Sequence, residues 1–219
     1  MPTTTQILDD LTAAANQAIP IAIAWHVVLA LILLTVVLGR RPAIGSAMML
    51  SAALLLSVAV IAYTTDNPFN AILFALLAVL AAAFALTVPR RPMRTGPDWM
   101  SALGIAMMAI GWTYPHFLDG NPALYLIAAP LGVVPCATLY MIVGITLVGG
   151  GLRHRAWTLA LAVLTVAYGV IGVARLGVYL DIFLVAGAAG LVVAALRHRP
   201  RRARPGFSGY ATTGSFGSR

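Results

Sequence analysis

The only cysteine, Cys136, lies in a long apolar stretch that also contains several prolines and a histidine. The stretch, residues 111–144, reads GWTYPHFLDGNPALYLIAAPLGVVPCATLYMIVG. A thiol can act as a nucleophile, a redox group or a soft-metal ligand. Free cysteine is also among the most commonly buried residues, where it packs as a small hydrophobe. No basic residue adjoins Cys136 to activate it, so its sequence context leaves both interpretations open.

Two histidines could join the cysteine in a metal or haem site. His26 lies within an apolar segment, and His116 follows Tyr114 near a segment end. His26, His116 and Cys136 could bind a soft metal, or the two histidines a haem. His26 could equally bond a neighbouring helix, and His116 could be an exposed loop residue. The chain has no H-E-x-x-H or C-x-x-C motif. We therefore predict no cofactor and keep the metal or haem site as an alternative.

The composition requires a lipid environment. Of the 219 residues, 61% are hydrophobic and 9% are charged, and the mean hydropathy is +0.93. A soluble domain carries about 25% charged residues. The net charge of +8 comes from arginines between apolar segments, a pattern of membrane orientation and not of nucleic-acid binding. The predicted partner is the lipid bilayer. The absence of lysine excludes a retinal Schiff base.

Seven apolar segments predict an all-α, polytopic membrane protein. Backbone groups in lipid must bond within their own segment, so each segment should be a helix. No ten-residue alternating pattern suggests barrel strands. We place the segments at 17–38, 43–63, 69–88, 99–114, 124–148, 156–174 and 180–196.

The charges predict how these segments are oriented. Every arginine except Arg175 lies on one side of this topology, and every aspartate except Asp98 lies on the other. The positive-inside rule then puts the N-terminus outside and the C-terminus in the cytoplasm. We divide the chain into a seven-helix transmembrane domain, 1–198, and a basic, Gly/Ser-rich tail, 199–219, which its composition predicts to be disordered.

The polar residues gather on the predicted outer side, which suggests a polar pocket opening outward. Arg175 could pair with Asp181 across a short hairpin or recognise an anionic ligand. The candidate ligand-binding residues are Tyr63, Asn67, Tyr114, His116, Cys136, Thr138 and Arg175.

Two prolines predict that the fifth segment is kinked or broken. Pro130 and Pro135 each remove a helix hydrogen bond, which frees the carbonyls of Leu126 and Leu131. Broken helix is tolerated at membrane depth where it lines a cavity or is buried in protein. These carbonyls could contribute to a small polar site near Cys136.

The chain resembles a family of bacterial multi-pass membrane proteins of uncharacterised activity. The resemblance rests on four motifs: Asn16 to Pro20, I-A-Y at 61–63 followed by N-P at 67–68, Y-P at 114–115, and G-V-V-P-C-A-T at 132–138. The family has a second proline where this chain has Ala137. The resemblance implies a location in the bacterial inner membrane and supports the site, but it implies no reaction.

Three functional hypotheses follow. The first is a protein that binds or passes a small molecule or ion through an outward-facing pocket. The second is an accessory or assembly subunit whose small-residue faces dock a larger membrane complex or a second copy. The third is a metal or haem protein. With no nucleophile–base pair, phosphate loop or paired intramembrane carboxylates, the sequence argues against an enzyme.

Overall fold

The computed structural model describes residues 3–88 and 91–197, and the secondary structure of this part of the chain is helical, without strands. The predicted all-α fold class is confirmed, whereas the predicted tail, 199–219, lies outside the described residues. An isolated β-bridge joins Ala43 to Pro92. The α-helices in these ranges are α1 Thr4–Gln17, α2 Ile19–Val37, α3 Ile44–Thr64, α4 Pro68–Thr87, α5 Asp98–Thr113, α6 Tyr125–Ala128, α7 Pro135–Val148, α8 Arg155–Ala174 and α9 Ile182–Arg197.

Five of the described helices are long and apolar enough to cross a membrane. They are α2, α3, α4, α8 and the stretch Tyr179–Arg197, in which α9 follows a turn of 3-10 helix. Each has 19 to 21 residues, or about 30 Å of helix at 1.5 Å per residue. These helices coincide with five predicted segments and indicate a multi-pass membrane protein. The other two predicted segments contain shorter helices, α5 and α7.

An N-terminal helix, α1, precedes the first predicted segment. A capping box starts it, because the Thr3 hydroxyl accepts from the Gln6 amide at 3.2 Å and the Gln6 side chain accepts from the Thr3 amide at 2.8 Å. The chain turns at Ala18, and Pro20 lies in the first turn of α2. The sequence did not predict α1, because membrane-spanning helices were expected from long apolar runs. Helix α1 mixes polar with apolar residues.

The fifth predicted segment, 124–148, is not one helix, which corrects the prediction of seven continuous helices. The short helix α6 ends at Ala128, residues 129–134 are non-helical, and Pro135 starts α7. The predicted break is therefore confirmed. The linker between the two helices is buried, so its polar backbone groups lie within protein, as the apolar environment requires.

Small residues bring α5 and α7 into close contact at the centre of the fold. A Cβ added at Gly104 would lie 2.7 Å from the Gly144 carbonyl oxygen, and one at Gly111 would lie 2.9 Å from the Ala137 carbonyl oxygen. On α9, Gly187 and Gly190 make room in the same way for Met107 and Leu103. Such contacts drive helix association in bilayers.

The exposed helix surfaces carry larger side chains than the glycine-containing contacts between helices. In the most apolar part of α2, and likewise of α4, only 17% of the residues are buried. The exposed residues there are large aliphatic side chains such as Leu31, Leu33, Ile72, Val79 and Leu86. The small-residue faces considered for docking a larger complex are thus largely occupied within the chain.

Candidate functional site

A cavity of about 500 Å³ opens at the end of the bundle where α3 and α8 finish and α4 begins. We call this end the arginine-poor end, because Arg175 is the arginine there and the other described arginines lie near the opposite helix ends. Helix α1 closes one side of the cavity with Ile7, Leu11 and Ala14. The cavity thus has mainly apolar walls, one of which comes from a helix that the sequence did not predict.

Polar residues line the mouth of the cavity. Asp10, Asp66, Asn67 and Arg175 are among its lining residues. Asn67 is also the N-cap of α4, since its side chain accepts from the Asn70 amide at 3.1 Å. The Arg175 carbonyl accepts from the Thr4 hydroxyl at 3.2 Å, which ties α1 to the end of α8. Two predicted site residues, Asn67 and Arg175, therefore lie on the cavity.

Cys136 and Asp181 also line the cavity, and both are buried. Cys136 lies in the first turn of α7 and is 7% exposed, while Asp181 ends the 3-10 turn before α9 and is 0% exposed. The hydroxyl of Tyr114 donates to Asp181 Oδ1 at 2.8 Å. The sequence predicted Tyr114 and Cys136 as site residues and named Asp181 only as a partner of Arg175.

The second carboxyl oxygen of Asp181 has no hydrogen-bond partner among the described residues. A buried polar atom without a partner costs about 1–3 kcal/mol. The Cys136 thiol interacts with the same carboxyl group, and this orphan acceptor is the atom of the cavity wall that a hydrogen-bond donor from a ligand would complete. This oxygen is the clearest chemical feature of the site.

Gly172 makes room for this carboxyl group. A Cβ built on Gly172 would overlap Asp181 Oδ2. Because Gly172 is in α8 and Asp181 precedes α9, the contact sets how closely the two helices approach. The side chain of Asp181 is therefore held between Tyr114 on one side and the α8 backbone on the other.

A hydrogen bond between α4 and α8 forms another part of the wall. The Tyr168 hydroxyl donates to Asn70 Oδ1 at 2.5 Å, and the Tyr168 ring packs edge-on against Phe74 with centroids 5.5 Å apart. Both Tyr168 and Asn70 line the cavity. Sequence reasoning missed this pair because each residue is isolated in an apolar segment, and only the fold brings them together.

His116 lies next to the site but is not among the cavity-lining residues. Its ring is 5.4 Å from that of Tyr114, and its buried Nδ1 atom has no hydrogen-bond partner in the described chain. Desolvation lowers the pKa of His116 below its ordinary value. The neutral imidazole is therefore the favoured form at neutral pH.

Two predicted site residues have other positions or roles. Tyr63 is 76% exposed and does not line the cavity. Thr138 is fully buried away from the cavity, where its hydroxyl accepts from the Gly132 amide at 2.9 Å and donates to the Val134 carbonyl at 2.9 Å. Thr138 therefore stabilises the non-helical linker, whose tight geometry includes a positive φ of 73° at Gly132.

The proposed metal or haem ligands are not brought together. Within residues 3–88 and 91–197, no group of three or more His, Cys, Asp or Glu side chains could hold a metal ion. Both ring nitrogens of His26 face backbone carbonyls, at 2.8 Å from Ala22 and 3.0 Å from Trp112. The alternative considered for His26, bonding to a neighbouring helix, is the one that the structure supports.

Comparison of the chain with protein-family models, curated proteins and solved structures finds no match. The cavity and the charges around it are therefore the observations that bear on function.

Proposed function

We propose that the chain is a bacterial inner-membrane protein with seven crossings, an outside N-terminus and a cytoplasmic C-terminus, which binds or passes a small molecule through a pocket open to the outside. The observation that carries the proposal is the cavity at the arginine-poor end, with the orphan oxygen of Asp181 in its wall. In this topology, α5 is the fourth crossing and α6, the linker and α7 together make the fifth.

The distribution of the arginines supports this orientation. Arg40, Arg41, Arg91, Arg94 and Arg197 lie close to the helix ends opposite the cavity. Positive residues are retained on the cytoplasmic side of bacterial membrane proteins. The cavity would then face outward. The resemblance to a family of bacterial multi-pass proteins remains a prediction that agrees with this location.

A role as an accessory subunit receives less support from the same contacts. The glycines of α5, α7 and α9 pack within the chain, and the exposed faces of α2 and α4 are aliphatic, as lipid contact requires. A partner in a larger complex would have to dock on those aliphatic faces.

The sole cysteine provides a direct test. We would label Cys136 with a membrane-impermeant, positively charged methanethiosulfonate, in right-side-out and in inverted vesicles. Because Cys136 lines the cavity, we expect modification in right-side-out vesicles and none in inverted ones. The same cysteine would react in both preparations after unfolding in detergent.

Two cysteines placed in a Cys136→Ser background serve as matched controls. Thr64→Cys, exposed at the end of α3, should react from the outside, and Thr87→Cys, exposed at the end of α4, from the inside. Reversed labelling of the two controls would overturn the orientation. Correct labelling of both, with no reaction at Cys136 in folded protein even after prolonged exposure at alkaline pH, would overturn the open outer pocket.

A further inference from the structure

The outer cavity continues into a groove on the membrane-facing surface. The groove, of about 440 Å³, runs between α4 and α8 and is lined only by aliphatic side chains and alanines. Leu73, Leu164 and Ala167 line both the cavity and the groove. The two spaces are therefore neighbours that share a wall, and together they offer a polar end and an apolar end.

The cavity and the groove together are long enough for an alkyl chain. On α8, the lining extends from Gly172 in the cavity to Ala160 in the groove, a distance of about 18 Å at 1.5 Å per residue. The groove part of this length, from Ala160 to Ala167, is about 10 Å long and contains no polar side chain. A water-soluble ligand would gain no hydrogen bond from such a surface, whereas an alkyl chain would make apolar contacts along it.

The polar end favours a donor over an acceptor. Its lining includes Asp10, Asp66 and Asp181 against the single basic residue Arg175. The Oδ2 atom of Asp181 is buried and lacks a partner in the part of the chain that the structure describes. A carboxylate head group would meet three carboxyl groups there, whereas an amine or hydroxyl would supply the missing donor.

We propose that the cavity and the groove together hold a single-chain membrane amphiphile, with an amine or hydroxyl head towards Asp181 and its alkyl chain between α4 and α8. The inference rests on the proposed function and specifies the ligand class of the same pocket. The amphiphile enters sideways from the lipid, past Ala167, while the outer mouth stays open to water.

The test measures the rate at which N-ethylmaleimide alkylates Cys136 in phosphatidylcholine nanodiscs. Oleylamine, oleyl alcohol and oleate are added at equal mole fraction, since they share a chain and differ in the head group. We expect oleylamine, oleyl alcohol or both to slow alkylation about tenfold or more, and oleate to have little effect. The two donor probes then show whether the head is an amine or a hydroxyl.

Two alanines of α8 provide a matched pair of variants. Ala167 lies where cavity and groove meet, while Ala174 lines neither, and both are exposed. Ala167→Phe should abolish protection by the oleyl probes, and Ala174→Phe should retain it. Asp181→Asn keeps an acceptor for Tyr114 and should lose the preference for the donor probe or probes over oleate.

The outcomes separate the two proposals. Equal protection by all three probes, or protection that survives in Ala167→Phe, overturns the amphiphile. If Cys136 is alkylated at the same rate with and without every probe, the amphiphile is also overturned, but the open pocket stands. A Cys136 that N-ethylmaleimide never reaches in folded protein overturns both proposals.

Discussion

The hydroxyl of Tyr114, at the end of α5, donates a 2.8 Å hydrogen bond to the fully buried carboxyl group of Asp181, just before α9. A second tyrosine bonds to the residue before Asp181: the Tyr140 hydroxyl donates to the Leu180 carbonyl at 2.6 Å. Two hydroxyl groups from two helices thus hold the start of α9 in place. The position of the cavity wall depends on these bonds.

Tyr114→Phe should destabilise the protein. The substitution keeps the ring but removes the donor to Asp181 Oδ1, which leaves a buried carboxyl group without that bond. We expect the free energy of unfolding to fall by about 1–3 kcal/mol, measured by reversible unfolding in mixed micelles.

The matched control for this change is Tyr63→Phe, at an exposed tyrosine. Its effect should stay within about 0.5 kcal/mol. Equal effects of the two substitutions would show that the Tyr114–Asp181 bond does not stabilise the fold.

Gly172→Ala should also destabilise the protein, through steric overlap. The added methyl group would occupy the space of Asp181 Oδ2, and such overpacking costs about 1–3 kcal/mol. Asp181→Ala removes the overlapping carboxyl group. In the double variant, Gly172→Ala should therefore cost much less than in the wild type, a coupling that a double-mutant cycle measures. Additive effects would contradict the contact.

Thr138→Val should loosen the non-helical linker before α7. Valine has nearly the same shape but offers no oxygen to the Gly132 amide, which donates to Thr138 at 2.9 Å. We expect a loss of about 1–3 kcal/mol in unfolding free energy. Thr138→Ser retains the hydroxyl and should be less affected. A valine variant as stable as the wild type would show that this hydrogen bond does not stabilise the linker.

The sequence was sufficient for most of the helices because apolar length is a local property. The five long helices match predicted segments, and the break near Pro130 and Pro135 followed from their missing amide hydrogens. Helix α1 was not predicted, because its pattern is amphipathic and not a long apolar run. Its apolar residues pack where the helix covers the cavity.

The site was predictable only in part, because it depends on contacts between distant residues. Asn67, Cys136 and Arg175 were expected on a pocket and lie on the cavity. Asp181 was missed as a site residue, because the burial of its carboxyl group depends on Tyr114, 67 positions earlier. The position of this aspartate at the edge of an apolar segment was the feature of the sequence that could have indicated a site residue.

Lowering the pH should destabilise the protein through His154. This histidine caps α8, where its Nδ1 atom accepts from the Trp157 amide at 3.4 Å, and its ring stacks on Phe84 with centroids 3.7 Å apart. Desolvation lowers the pKa of His154 in the folded state, so the unfolded chain takes up a proton first, near its ordinary pKa of about 6.5. The contribution of His154 to stability should therefore be greatest above about pH 7 and should decrease as the pH falls towards about 5.

His154→Asn isolates this contribution. Asparagine supplies a capping oxygen without a titrating group, so the variant should lose less unfolding free energy than the wild type between about pH 7 and 5. His116, whose pKa is also lowered by desolvation, accounts for part of the remaining slope, and His154→Asn combined with His116→Gln should flatten it further. An unchanged slope in His154→Asn would mean that the ring takes up its proton equally well in both states, and that the stacked cap contributes nothing to the pH dependence.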